Sequence, residues 1–279
     1  MTTDKTIALD GPLLLAGAGK MGGAMLAGWL ARGLDPKLVV VQDPGPPPEV
    51  AALLRQHEIA AGAEVGTLET PPAVIIAAVK PQAMEQVFPP LAKLAGRNTL
   101  LLSIAAGKTL ASFERHLPAG AAVVRAMPNT PAAIGRGISV CVANAHVTEK
   151  QRRLATSLLE AVGEVGWIDD EALMNAVTAV SGSGPAYVFL LAEALAEAGV
   201  KQGLDSALAA RLARATVSGA GELLRQSSDS AEQLRMNVTS PGGTTAAALS
   251  VLTRAGDGLP DLLAEAIAAA TKRGRELAG

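Results

Sequence analysis

Two groups of residues in this sequence have types and spacings suited to chemistry. The first is Gly17-Ala18-Gly19-Lys20-Met21-Gly22, a G-x-G-x-x-G pattern, with Asp43 placed 21 positions after its last glycine. The second is Ser240-Pro241-Gly242-Gly243-Thr244-Thr245. Glycines at the first spacing let backbone N–H groups approach phosphate oxygens, and an acid about 20 residues on accepts from a ribose 2′-hydroxyl. The second group interrupts a stretch rich in Ala, Leu, Glu and Arg. Proline and glycine break helices, and the hydroxyls offer small donors, so the interruption calls for a reason.

Each group needs elements to position it. The apolar run Pro12 to Ala16 leads into the glycines, and helical spacing resumes from Met25 to Arg32. A strand–turn–helix of this kind brings phosphates to a helix N-terminus, where free N–H groups and the dipole attract anions. A second apolar run, Leu38 to Gln42, ends at Asp43-Pro44. A 2′-phosphate at Asp43 would meet like charge, and no arginine follows before Arg55, so these residues lean toward NADH over NADPH. Further apolar runs span Val74 to Val79, Leu100 to Ile104, Ala121 to Ala126 and Ile138 to Ala143. Strands alternating with helices predict a mostly parallel sheet covered on both faces. After about Asp170 only helical patterns remain, broken at Ser181–Pro185, at Gly203 and at the Ser240 group. The expectation is an α/β Rossmann-type N-terminal domain, residues 1–169, followed by an all-α C-terminal domain, residues 170–279.

Composition narrows the partners. The chain has 279 residues, 49% of them hydrophobic and 2% aromatic, with a formal net charge of −2. That balance gives no basic footprint for nucleic acid. The single cysteine, Cys141, lies in an apolar run and reads as a small buried hydrophobe. The uncharged run Ala172 to Ala192 is interrupted by Ser181-Gly182-Ser183-Gly184-Pro185, which speaks against a membrane helix. No signal-peptide pattern opens the sequence, so a soluble, cytoplasmic protein is expected. His57, His116 and His146 fall outside the motifs and read as surface or structural residues. No metal site is expected.

Several segments, taken together and in order, resemble the pyrroline-5-carboxylate reductase family. They are the glycine motif, Ala78-Val79-Lys80-Pro81, Ser103-Ile104-Ala105-Ala106-Gly107, Arg125-Ala126-Met127-Pro128-Asn129-Thr130-Pro131, Ser181-Gly182-Ser183-Gly184-Pro185-Ala186-Tyr187 and the Ser240–Thr245 group. The resemblance implies hydride transfer from NADPH or NADH to the C=N carbon of 1-pyrroline-5-carboxylate, giving L-proline in the last step of proline synthesis. It implies a helical domain that dimerises, with dimers assembling into larger rings. Substrate would be held by Ser240, Gly242, Gly243, Thr244 and Thr245, with Glu171 close by. The Thr245 hydroxyl would bond the ring nitrogen as the catalytic contact. Cofactor would be held by Gly17, Ala18, Gly19, Lys20, Met21, Gly22, Asp43, Ala78, Val79, Lys80, Pro81, Ala105 and Asn237. A protonated imine is already electrophilic, so positioning matters more than a strong acid or base.

One departure stands out. Asp43 is an acid where many relatives carry a small neutral residue, which puts the family's usual NADPH preference in doubt. Three rival readings stand beside this one: a β-hydroxyacid dehydrogenase, a non-catalytic dinucleotide sensor and a more general imine reductase, since sequence does not fix pocket volume. A β-hydroxyacid dehydrogenase needs a lysine on the helix opening its second domain, and here the next lysine is Lys201. A non-catalytic dinucleotide sensor has no need of a substrate loop.

Overall fold

A computed structural model describes residues 7–277. The chain divides into two compact units. One runs to Gly182 and takes back the chain from Thr271 onward; the other is Ser183–Ala270.

The first unit is built on eight strands. They are β1 (Leu13–Ala16), β2 (Val39–Gln42), β3 (Ala61–Gly62), β4 (Val74–Ala77), β5 (Leu100–Ser103), β6 (Ala122–Met127), β7 (Gly137–Ala143) and β8 (Gly163–Trp167). Their order in the sheet is β3-β2-β1-β4-β5-β6-β7-β8. Neighbours run parallel except β6 and β7, which are antiparallel. Five helices follow strands in this unit: α1 (Lys20–Ala31), α2 (Pro48–Gln56), α3 (Met84–Ala92), α4 (Leu110–Glu114) and α5 (Glu149–Glu160).

The strand sequences explain the burial. β1, β4 and β5 are buried at every position, as unbroken runs of Leu, Ile and Val require when both sheet faces are covered. Side chains alternate between two cores. Leu13 and Leu15 join Met25, Leu26 and Trp29 of α1 and Leu158 and Leu159 of α5. Leu14 and Ala16 join Met84, Phe88 and Leu91 of α3 and Phe113 of α4. Each large side chain fully buried this way contributes roughly 1.5–3 kcal/mol. The Trp29 indole also donates to the Leu158 carbonyl at 2.8 Å, tying α1 to α5 without leaving a buried donor unpaired.

Strand order reverses direction at β1 and β4: β2 and β3 build out on one side, β5 and β6 on the other. Beyond the carboxyl ends of such adjacent strands the chain leaves a crevice where ligands bind. The loops there begin at Gly17, Asp43, Ala78 and Ile104.

Past Asp170 no strand forms among the described residues. Helix α6 (Met174–Val177) closes the first unit's helical run, and α7 (Gly184–Lys201), α8 (Ser206–Gln226), α9 (Ala231–Asn237), α10 (Thr244–Leu252) and α11 (Leu259–Leu277) follow. One expectation is corrected here. The break expected at Ser181–Pro185 is a π-helical turn, Thr178–Gly182, with a bend at Ser183, so Glu171–Lys201 is long and apolar enough to cross a membrane by length and composition. Beyond it, α10 and α11 are separate helices, because Gly256 between them sits at φ +89°, outside the right-handed helix.

The second unit has little core of its own. Its buried hydrophobic residues are Ala209 and Ala213, while Phe189 is 68% exposed and Leu190, Leu223, Val251 and Leu262 are exposed with it.

Candidate active site

The glycine turn is built as phosphate binding demands. Gly17 sits at φ +92°, the left-handed side that glycine tolerates, and a Cβ there would lie 2.7 Å from the Ala78 carbonyl. The Ala78 N–H in turn donates to the Ala16 carbonyl at 2.8 Å, so the turn leans on the loop after β4. A Cβ on Gly22 would lie 2.1 Å from the Gly17 carbonyl oxygen, leaving no room for a side chain. Gly19 differs: nothing lies within 4 Å of a Cβ built there. Two glycines therefore permit close packing, and the middle one faces open space. Gly19 also caps α1 without any side-chain hydrogen bond, leaving first-turn N–H groups of that helix available. A dinucleotide pyrophosphate fits this cradle.

The residues around it divide by what they expose. Lys20 is exposed at the first position of α1. Met21 packs on the first core, and Ala18 is fully buried there. Ala78 and Val79 are half-buried, Lys80 is exposed, and Pro81 opens a short 3-10 turn. Ala105 was expected at the cofactor, but its side chain is buried in the second core and Ala106 is the exposed neighbour. The Ala105 N–H donates to the Ser103 hydroxyl oxygen at 3.2 Å.

Asp43 is engaged on both oxygens. Oδ2 accepts from the Ala18 N–H at 2.7 Å and Oδ1 from the Gly45 N–H at 2.9 Å. The Ala18 N–H, expected to face phosphate, is thus taken by Asp43. Beside it, the Gln42 side chain donates to the Ala63 carbonyl at 2.9 Å while its Oε1 is buried without a partner.

A second polar group lies under the loop after β5. Arg125 of β6 is 4% exposed, and its guanidinium donates to Glu171 Oε1 at 2.8 Å. The same oxygen accepts from the Leu110 N–H at 2.9 Å, at the start of α4. Glu171, expected close to substrate, therefore spends its carboxylate joining β6 to α4. Arg125 is thereby held in an ion pair. Asn129 is likewise committed: its carbonyl oxygen accepts from the Ile138 N–H at 2.9 Å and its amide donates to the Ser181 carbonyl at 3.2 Å. The Leu110 contact was invisible in sequence, because a backbone N–H leaves no signature there.

The Ser240–Thr245 group, in the second unit, is an exposed loop opening a helix. Gly242 lies at φ +69°, and the Gly243 N–H donates to the Ser240 carbonyl at 3.0 Å, closing a tight turn. Gly243 then caps α10 without a side-chain bond. Helix geometry leaves the N–H groups of Thr244 and Thr245 without intrahelical acceptors. The Thr245 side chain is half-buried, and its hydroxyl has no hydrogen-bond partner among the described residues. Asn237, at the end of α9, accepts from the Gln233 amide at 2.8 Å and is exposed.

Burial pushes the Cys141 thiol up to about 12. His116 sits in a surface cluster where Lys108, then Arg115, hold the Glu85 carboxyl below its usual range. Among the described residues no group of three His, Cys, Asp or Glu could hold a metal.

A glycine cradle at the switch point of a parallel sheet, followed by a helical region with its own uncapped glycine turn, fits one class: a dinucleotide-binding oxidoreductase. Comparison with known proteins narrows it. Residues 13–107 match the family model for NADP oxidoreductase, coenzyme F420-dependent, and residues 171–277 match pyrroline-5-carboxylate reductase dimerisation. A pyrroline-5-carboxylate reductase of Pseudomonas aeruginosa is 41% identical over 94% of this chain and 95% of its own. The structure of the Coxiella burnetii enzyme superposes with a TM-score of 0.88 at 34% identity, covering 96% of this chain and 98% of that one. That of Plasmodium falciparum, with NADP bound, gives 0.77 at 27% identity, over 97% and 99%. The chain belongs to the pyrroline-5-carboxylate reductase family and is an oxidoreductase of that family. The matched dimerisation region supports self-association.

Proposed function

We propose that the chain catalyses NAD(P)H-dependent reduction of 1-pyrroline-5-carboxylate to L-proline, the closing step of proline biosynthesis. The observation that carries this reading is the pairing, on one chain, of the glycine cradle with the Ser240–Thr245 loop. The nicotinamide cofactor supplies the hydride when bound. The chain's residues do the holding. Gly17, Gly19 and Gly22 admit the pyrophosphate to backbone N–H groups, and Lys20 adds a cation beside it. Ala78, Val79, Lys80 and Pro81 wall the crevice on the β4 side, and Asn237 serves the nicotinamide end. Met21 acts through backbone, since its side chain packs on the core, while Ala18 and Ala105, whose N–H groups are held by Asp43 and Ser103, shape the cradle and the loop after β5.

In the loop, Ser240, Gly242, Gly243 and Thr244 take the substrate carboxylate, whose charge suits free N–H groups at a helix start. The Thr245 hydroxyl bonds the ring nitrogen and holds its orientation. Glu171 braces β6 against α4 through Arg125 and Leu110. Residues 1–169 form the dinucleotide-binding domain and residues 170–279 the substrate-binding and dimerisation domain. The exposed apolar side chains of α7, α8, α10 and α11 are covered by a second copy of the chain in a dimer or larger ring. On this reading the enzyme works in the cytoplasm, on a small molecule, without nucleic acid or membrane.

The test is oxidation of reduced cofactor by the purified chain with 1-pyrroline-5-carboxylate, with proline measured as product. Stoichiometric proline is expected. Cofactor binding without imine-dependent oxidation would overturn the reading in favour of a sensor.

A further inference from the structure

We propose that Asp43 makes this chain selective for NADH over NADPH, acting from a position already locked by the glycine turn. The inference rests on the dinucleotide reading above and deepens it. Its starting point is the pair of hydrogen bonds on the carboxylate. Ala18 N–H holds Oδ2 at 2.7 Å and Gly45 N–H holds Oδ1 at 2.9 Å. A side chain held at both oxygens cannot swing away from a bulky anion. Each oxygen still keeps lone pairs for a further donor. A ribose diol supplies such donors. A 2′-phosphate supplies only acceptors and carries charge of the same sign as the carboxylate.

The surroundings offer a 2′-phosphate nothing in exchange. From Asp43 to Leu54 the sequence contains no Lys, Arg, Ser or Thr, and its other charged residue is Glu49. The stretch just past β3 adds Glu64. The basic residue in the last turn of α2 is Arg55, at the end of that helix remote from Asp43. Lys20 is the cation of the glycine turn, and it stands at the start of α1 where the pyrophosphate belongs. Phosphate sites need positive charge or several donors. Here the charged residues that follow Asp43 closely in sequence are acidic, and Gln42 beside it is neutral.

The same bonds give Asp43 a second task. Ala18 belongs to the turn itself, so the carboxylate supports the shape of the cradle while it selects the ribose. The two tasks separate by substitution. Asp43→Asn keeps an oxygen that can accept from Ala18 and removes the charge. Asp43→Ser removes the charge and shortens the side chain, so the Ala18 bond goes too.

The experiment is calorimetric titration of the full-length protein with NAD+ and with NADP+, alongside kcat/KM for NADH and NADPH. The wild-type protein should bind NAD+ at least about tenfold more tightly, as expected for one like-charge contact. Asp43→Asn should erase most of that ratio, chiefly by tightening NADP+. Asp43→Ser should weaken NAD+ beyond what Asn does. Tighter NADP+ binding in the wild type, or an unchanged ratio in Asp43→Asn, overturns the proposal. If neither variant folds, the wild-type ratio is followed against salt: screening should shrink it, and a ratio indifferent to salt also overturns the proposal. Selective NAD+ binding without turnover would sink the reductase reading while supporting this one.

Discussion

The glycine turn before α1 and the glycine turn before α10 use the same device, an uncapped helix start approached through a left-handed glycine. Their settings are opposite. The first is walled by its own chain: side chains at Gly17 and Gly22 would strike the Ala78 and Gly17 carbonyls. Beneath it lie two filled cores. The second turn stands in the open. Nothing lies within 4 Å of a Cβ built on Gly242, and nearby Val238 is 64% exposed. Close packing makes the first turn rigid and intolerant of substitution. The second is only as well defined as whatever covers the apolar helices around it. The first turn rests on filled cores of its own unit; the second belongs to a unit whose apolar helices a single chain leaves exposed.

The largest effect should come from crowding the closed turn. Gly22→Ala forces a methyl to within 2.1 Å of a backbone oxygen. It should abolish NAD(P) binding by calorimetry and lower stability by about 3 kcal/mol or more in urea. A variant that bound cofactor normally would show that the turn is not closed. By contrast, Gly242→Ala is not predicted to clash, though its φ of +69° still disfavours a side chain.

Next comes the open unit. Phe189→Glu places a charge where 68% of a phenyl ring is exposed in the single chain. If a second copy covers it, self-association should weaken by at least about 100-fold, since each buried aromatic is worth roughly 1.5–3 kcal/mol and a symmetric dimer has two. Light scattering across a dilution series reads this directly. An unchanged assembly would mean that α7 faces something else.

A smaller effect is expected at the loop itself. Thr245→Ala removes a hydroxyl that has no partner among the described residues. kcat should fall by about tenfold, in keeping with loss of one hydrogen bond near 1.4 kcal/mol, while cofactor affinity stays within a factor of about two. Equal losses in both would place Thr245 in a structural role.

The smallest signal is chemical. With its thiol pushed up to about 12 by burial, Cys141 should resist alkylation at pH 8 in the folded protein and react promptly in urea. The folded pKa is raised, so the neutral thiol contributes stability below pH 9 and that contribution fades as pH climbs toward 12. Rapid native labelling would mean that β7 opens readily.

Much of the first unit was legible because its strands announce themselves. Leu13-Leu14-Leu15, Val74-Ile75-Ile76 and Leu100-Leu101-Leu102 are unbroken apolar runs, which is how a strand covered on both faces must read. β8 was missed because Gly163, Glu164 and Gly166 erase that pattern in a strand at the sheet edge. The Ser181–Pro185 segment was read as a break because its residues are poor helix formers. The chain instead absorbs them in a π-helical turn, with Pro185 in the first turn of α7, where its missing N–H does no harm.

Local chemistry by itself determined the glycine triplet, the acid at the end of β2, the change from strands to helices near Asp170 and the family, since each follows from residue type and short spacing. Tertiary structure alone decided who bonds to whom across long separations. It gave the Ala18 N–H to Asp43, 25 residues away, and joined Arg125 and Leu110 on Glu171, at separations of 46 and 61. It also turned Ala105 into the core. Such pairings depend on which loop ends a sheet brings together and on where burial leaves a charge or an N–H in need of a partner. No spacing along the chain encodes that need until the strands are laid side by side.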